Sequence, residues 1–156
     1  MEVLDKDRAL NVGRIDHVAF AFSTTDRQDQ ACQEFSELLG IDDWDEVLAP
    51  ERQLRVLMSW GACIELVAPL GPGSILDEFI EKNGEGFFTM VFGVEKLEDT
   101  VAHVEKLGRT TRRTGGHPSL SQRFDVFKQS IVEERVTGGM RLILSEHRGF
   151  TPKPRG

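Results

Sequence analysis

The chain has 156 residues, 39% of them hydrophobic, and 26 acidic side chains against 19 lysines and arginines give it a formal net charge of −7. That length suits one well-packed core or two small fused modules, and a surface negative on average disfavours nucleic acid or an anionic membrane as a partner. Cys32 and Cys63 lack CxxC spacing and predict a reduced pair, not a disulfide or zinc framework. The chain shows no apolar run of membrane-spanning length and no signal-peptide core near its start, so a cytoplasmic location is expected.

Residues 1–13 form a mostly polar arm whose ordering is expected to depend on docking to a neighbour. From Arg14 to Phe22 the sequence alternates strictly, with Val18, Phe20 and Phe22 on one face and His17, Ala19 and Ala21 on the other. A strand with bulky apolar groups on one side and alanines with a lone imidazole on the other reads as the wall of a cavity. The cap residues Ser23, Thr24, Thr25 and Asp26 then open a helix carrying Ala31, Phe35, Leu38 and Leu39, which Gly40 closes. Residues 41–50 read as an acidic loop anchored by Trp44 and Val47. Residues 53–60 and 62–67 read as two strands joined by a tight turn at Trp60-Gly61. The second of these places Glu65 on the less bulky face, as β-alternation does for His17. Residues 74–82 predict a short helix capped by Ser74.

The second half repeats the plan. Phe88, Met90, Phe92 and Val94 alternate with Thr89, Val91 and Gly93, and Leu97, Val101, Val104 and Leu107 follow at helical spacing up to Gly108. After a long polar loop, 126–136 and 140–145 predict two more strands around a Thr137-Gly138-Gly139 turn. Thr89 answers His17 in this register and Ile143 answers Glu65, which argues for a duplicated strand-helix-strand-strand-strand module.

The phrases Asp16-His17-Val18-Ala19-Phe20, Ile64-Glu65-Leu66-Val67-Ala68-Pro69-Leu70 and Phe79-Ile80-Glu81-Lys82-Asn83-Gly84-Glu85-Gly86 resemble the vicinal oxygen chelate superfamily, and within it the methylmalonyl-CoA epimerases and glyoxalase-like proteins. The resemblance implies an α+β fold of two βαβββ modules forming a curled mixed sheet around a cavity, with helices on the outer faces. It implies a domain over 14–147, with modules at about 14–70 and 86–147, followed by a flexible or extended tail over 148–156. Metal-active members place four side chains on the concave sheet to hold one divalent ion. The corresponding positions here are His17, Glu65, Thr89 and Ile143, so a metal would have only His17 and Glu65 as ordinary ligands.

His17 is either a hydrogen-bonded core histidine or a functional group, and Glu65 on a half-buried strand needs a partner, hydration or a proton. A pair between them would be a structural ion pair, an acid/base dyad or half a metal site. His147, four residues beyond Ile143 on the same face, is expected at the cavity rim. Arg141 faces inward as a carboxylate partner or reaches to the rim, and Arg55 is a second candidate for substrate binding. Arg109, Arg112, Arg113 and Arg123, with Gly115, Gly116 and His117, form a basic loop that either meets the phosphates of coenzyme A or is simply solvated.

Two functions fit. One is a glyoxalase- or epimerase-like enzyme, an isomerase or lyase, in which His17 and Glu65 move a proton next to a carbonyl or acyl thioester. Thr89, Ile143, Arg141 and Arg55 would then line the substrate site. The other is a metal-free small-molecule binding, resistance or carrier protein of the same fold. A homodimer is expected, because relatives often pair modules across one.

Overall fold

In a computed structural model, residues 12–114 and 122–151 are described; the N-terminal arm up to residue 11, the Gly115, Gly116 and His117 part of the basic loop, and residues 152–156 lie outside them. Strand β1 (Val12–Ala21) runs into α1 (Thr25–Leu39), whose first turn is held by the Thr24 hydroxyl accepting from the Arg27 amide at 3.1 Å. Gly40 ends the helix at φ +70°, a left-handed conformation that a side chain would disfavour. Three antiparallel strands follow, β2 (Trp44–Ala49), β3 (Leu54–Ser59) and β4 (Ile64–Pro69). The second half gives β5 (Gly86–Val94), α3 (Leu97–Lys106), β6 (Thr111–Thr114), β7 (Val126–Val132) and β8 (Ile143–Arg148). A short helix, α2 (Asp77–Asn83), joins the halves.

The sheet order is β2-β3-β4-β1-β5-β8-β7-β6, which reads the same from either end once β5–β8 are matched to β1–β4. Within each half the first strand pairs in parallel with the last, β1 with β4 and β5 with β8. The two first strands then pair antiparallel with each other. This is the duplicated βαβββ plan, curled into one mixed sheet. β2 and β6 are edge strands that lay unseen in the sequence, inside residues 41–50 and inside the polar loop. Each is short and rich in charge, so its apolar pattern is weak, and pairing to β3 or β7 decides its conformation.

Helices α1 and α3 cover the convex face. Phe20 packs on Phe35 of α1, and the buried Gln28 amide donates to the carbonyls of Leu66 at 2.7 Å and Arg55 at 3.1 Å, tying α1 to the sheet. Under α3, Leu97, Val101 and Val104 close over Phe92, Val94, Val132 and Leu144. On the concave face, Ala21, Val47, Val56, Met58 and Val67 form a second apolar cluster, and Leu76, Phe79 and Ile80, at and within α2, pack into it. The linker helix thus fills the half of the concave face where strand side chains are apolar. The polar half is left for the groups described next.

Candidate functional site

Strict alternation would send Asp16 and His17 to opposite faces, and the structure departs from it. Ile15 stands opposite Phe92 and His17 opposite Val91, so β1 advances two residues where β5 advances one. Such a bulge re-aims a side chain, and here it brings Asp16 to the concave side beside His17. Asp16 Oδ2 accepts from His17 Nδ1 at 2.8 Å, and Asp16 Oδ1 meets His147 Nε2 at 3.1 Å and an Arg14 guanidinium nitrogen at 3.3 Å. On the other side of the imidazole, His17 Nε2 lies 3.3 Å from Glu65 Oε2. The result is a line of four groups, Glu65, His17, Asp16 and His147, each touching the next.

Small residues make the line possible. Ala19 pairs with Glu65 on one side and Thr89 on the other, leaving room above the strand. Gly93, opposite Arg14 on β5, separates β1 from β8. A Cβ there would sit 2.7 Å from Arg14 Cγ, so the missing side chain is what lets Arg14 lie across the sheet beside Asp16.

Burial and charge set the protonation pattern. Burial alone would push His17 down, but the hydrogen bonds to Asp16 and Glu65 and the charge of both carboxylates outweigh it and raise its pKa from 6.5 to about 9. His17 is therefore an imidazolium at neutral pH, donating from both nitrogens. His147 goes the other way: burial lowers its pKa, the Asp16 carboxylate opposes that, and the positive charges of Arg14 and His17 reinforce it. The Asp16 side chain is fully shielded, while that of Glu65 keeps 22% of its exposure and stands at the rim.

Aromatic rings close over the cluster from both halves of the chain. Trp60 lies edge-on to Phe124 at 4.8 Å, to His147 at 5.7 Å and to His17 at 6.0 Å, and Phe124 stacks on the His147 ring at 4.6 Å. The half-buried ion pair Asp45–Arg123, at 2.9 Å, ties the same two regions. Phe150 joins the rings 5.1 Å from Phe124, and the Thr151 amide donates to the Arg123 carbonyl, which ties residues 150 and 151 to the aromatic cover.

The remaining candidates separate clearly. Thr89 and Ile143 share the concave face, since Thr89 pairs with Ala19, and Val91 pairs with both His17 and Ile143. Thr89 is buried and its hydroxyl has no hydrogen-bond partner, as is true of Trp60 Nε1 and His147 Nδ1. Arg141 lies two residues before β8, and its buried Nε is also unpartnered. Arg55 does not belong with them. Its side chain is on the convex face, bound to Asp29 of α1 at 2.7 Å and to Glu46 at 2.7 Å, because β3 alternation places it opposite Val56 and Met58. In the basic loop, Arg112 pairs with Glu133, Arg113 with Glu98 and Arg123 with Asp45, so these three cations already have carboxylate partners.

No protein-family model matches the chain, and no curated protein matches it significantly. Solved structures do. A methylmalonyl-CoA epimerase from Mycobacterium tuberculosis superposes with a TM-score of 0.70 at 21% identity, over 98% of this chain and 95% of that one. A methylmalonyl-CoA epimerase variant from Streptomyces coelicolor in complex with 2-nitronate-propionyl-CoA gives 0.69 at 18%, over 92% of this chain and 99% of that one. A hypothetical protein from Bacillus halodurans gives 0.70 at 19%, over 90% and 98%. The chain has the vicinal oxygen chelate fold. At these identities the likeness is one of fold.

The four-ligand metal site implied for this fold does not fit the residues present. Ile143 offers no donor atom, Thr89 offers a neutral hydroxyl, and both ring nitrogens of His17 are engaged by carboxylates. Among the described residues, no group of three or more His, Cys, Asp or Glu side chains is arranged to hold an ion. The four ionisable groups run in a line and do not converge on a point.

The sequence pointed to His17 and Glu65 and placed His147 at the rim, but it did not show Asp16, Trp60 or Phe124. The bulge that turns Asp16 inward leaves no trace in residue identity. Trp60 and Phe124 meet only because the sheet curls, although an aromatic residue beside a turn glycine, as in Trp60-Gly61, was a usable signal.

Proposed function

We propose that the protein is an epimerase-like enzyme that moves a proton at the carbon next to the carbonyl of a small acyl thioester. The observation that carries this reading is the buried line Glu65–His17–Asp16 on the concave face, with His17 held as an imidazolium beside a partly exposed carboxylate. Glu65 is the group at the rim that accepts the proton. Its acceptance breaks the C–H bond, and the electron pair moves onto the carbonyl oxygen. The fixed positive charge of His17 stabilises the resulting enolate without having to reorganise. The thioester is favoured as substrate class because fold neighbours include an epimerase in complex with methylmalonyl-CoA and NH4+. Burying a charged triad is costly unless it serves packing or chemistry, and an apolar binding pocket has no need of one.

Incubating the protein with methylmalonyl-CoA and following interconversion of its stereoisomers tests this directly. The wild type is expected to interconvert them, and Glu65→Gln to lose about 100-fold or more of that rate, the scale of one acid/base group. Absence of turnover in the wild type, with apolar ligands bound equally by wild type and Glu65→Gln, would instead establish a binding protein.

A further inference from the structure

We propose that Arg141 and Thr89 form a carboxylate-binding subsite on the concave face, which recognises an anionic ligand through a fixed guanidinium in place of a metal ion. Such a subsite binds its ligand whether or not the molecule then reacts, so it goes beyond the proton-transfer reading. The four-ligand position is where the residues depart from the implied set: Thr89 is buried with no partner for its hydroxyl, and Ile143 has no donor atom. A metal would bring positive charge to that half of the face. Here the residue that brings it is Arg141.

The sheet register brings the two residues together. Val91, Phe92 and Gly93 pair in parallel with Ile143, Leu144 and Ser145. Two residues earlier on each strand stand Thr89 and Arg141, so one row runs through Glu65, Ala19, Thr89 and Arg141, across β4, β1, β5 and the approach to β8. The chain still lies against β7 there, since the Val132 amide donates to the Leu142 carbonyl at 2.9 Å. Leu142 packs with Leu144 in the core under α3, so Arg141 takes the opposite, concave side with Ile143. With neighbouring strands about 4.8 Å apart, Glu65 and Arg141 stand roughly 14 Å apart at the backbone, and only the small Ala19 and Thr89 lie between them.

Charge makes a ligand necessary. Arg141 is half-buried, and its Nε is shielded from solvent without a hydrogen-bond partner. Arg55, Arg112, Arg113 and Arg123 all have carboxylates, but Arg141 has none among the described residues. Glu133, two residues beyond the Ile131 that faces Ile143, is engaged by Arg112 at 2.6 Å. A lysine could shed its proton to escape the cost of burial, whereas arginine stays charged. The unpaired Nε also leaves free the Nε–Nη edge, whose two parallel N–H groups match the two oxygens of a carboxylate. The Thr89 hydroxyl can donate to the same group.

Malonate serves as the probe, followed by titration calorimetry and by the Arg141 Nε–H signal in ¹⁵N–¹H correlation spectra of the full chain, with EDTA present throughout. The wild type is expected to bind malonate under these conditions with a shift of that signal, and to bind the uncharged malonamide about tenfold or more weakly. Arg141→Met is expected to weaken malonate binding about tenfold or more, and Thr89→Val about threefold or more, the scale of lost charge-assisted and neutral hydrogen bonds. Circular dichroism checks the fold of each variant, and Thr89→Val, which keeps the branched shape, carries the test if Arg141→Met does not fold. Malonate binding that appears only when Co2+ is added in excess of EDTA, unchanged binding by either folded variant, or no binding by the wild type would overturn the subsite. A wild type that binds malonate as expected yet leaves methylmalonyl-CoA unchanged would overturn the enzyme reading and leave the subsite standing.

Discussion

Asp16→Ala is expected to reduce the free energy of unfolding by roughly 3–5 kcal/mol, the cost of breaking a buried ion pair by removing one partner. The substitution takes away a side chain with no exposure that holds His17 Nδ1 at 2.8 Å, His147 Nε2 at 3.1 Å and Arg14 at 3.3 Å. His17 would be left as a buried cation with only Glu65 beside it, and His147 would lose its neighbouring carboxylate. Asp16→Asn keeps the shape but is neutral, so its amide oxygen can replace one acceptor while its NH2 group faces a histidine; a smaller loss than for Ala is expected. Urea unfolding followed by circular dichroism near neutral pH measures both. Since ordinary domains are stable by only about 5–15 kcal/mol, the Ala variant is expected to be visibly closer to unfolding at ambient temperature. A change below about 1 kcal/mol, the scale of an exposed ion pair, would show that Asp16 does not organise the cluster.

The second large effect is on pH. His17 has its pKa raised to about 9 in the folded protein against an ordinary 6.5. Its stabilising contribution is therefore complete below about 6.5 and is lost as pH rises through 9, with a full scale of roughly 3 kcal/mol for a shift of this size. His147 works in the opposite sense. Its pKa is lowered, so the unfolded chain gains a proton more readily than the folded one as pH falls below 6.5, and stability is lost on that side. A histidine-resolved NMR titration is expected to show His17 titrating near 9. In Glu65→Gln, His17 is expected to titrate closer to 6.5, and the fall in stability between pH 6.5 and 9 is expected to shrink. A His17 that titrates near 6.5 in the wild type would contradict the imidazolium assignment.

The sequence was most informative where burial is one-sided. Val18 and Phe20 against His17 and Ala19 announced β1 and its two faces, and the spacing of Leu97, Val101 and Val104 announced α3, because the packing partner of each imposes a period on the residues it buries. The duplicated plan followed from comparing the two halves. Edge strands β2 and β6 were missed because one exposed face and short length leave little pattern to read. Among site residues, the shared concave face of His17, Glu65, Thr89 and Ile143 was legible from alternation, and the ladders place them there. Arg55 was misjudged because alternation told which residues it sits opposite, but not which face of the sheet α1 would cover; Asp29 on α1 decides that. Asp16 was invisible for a different reason: a bulge is a property of two strands in register, and neither β1 nor β5 alone encodes it.

The most direct measurement of the central claim is a crystal structure of this protein with 2-nitronate-propionyl-CoA, the compound present in the Streptomyces coelicolor epimerase complex. The nitronate is predicted to lie on the concave face within hydrogen-bonding distance of Glu65 or His17, with Trp60 and Phe124 displaced or closed around it. Finding the compound instead in the surface groove at the start of α1, beside Ser23, Thr24 and Asp77, or finding none bound at saturating concentration, would contradict the assignment of the Glu65–His17–Asp16 line as the site of chemistry.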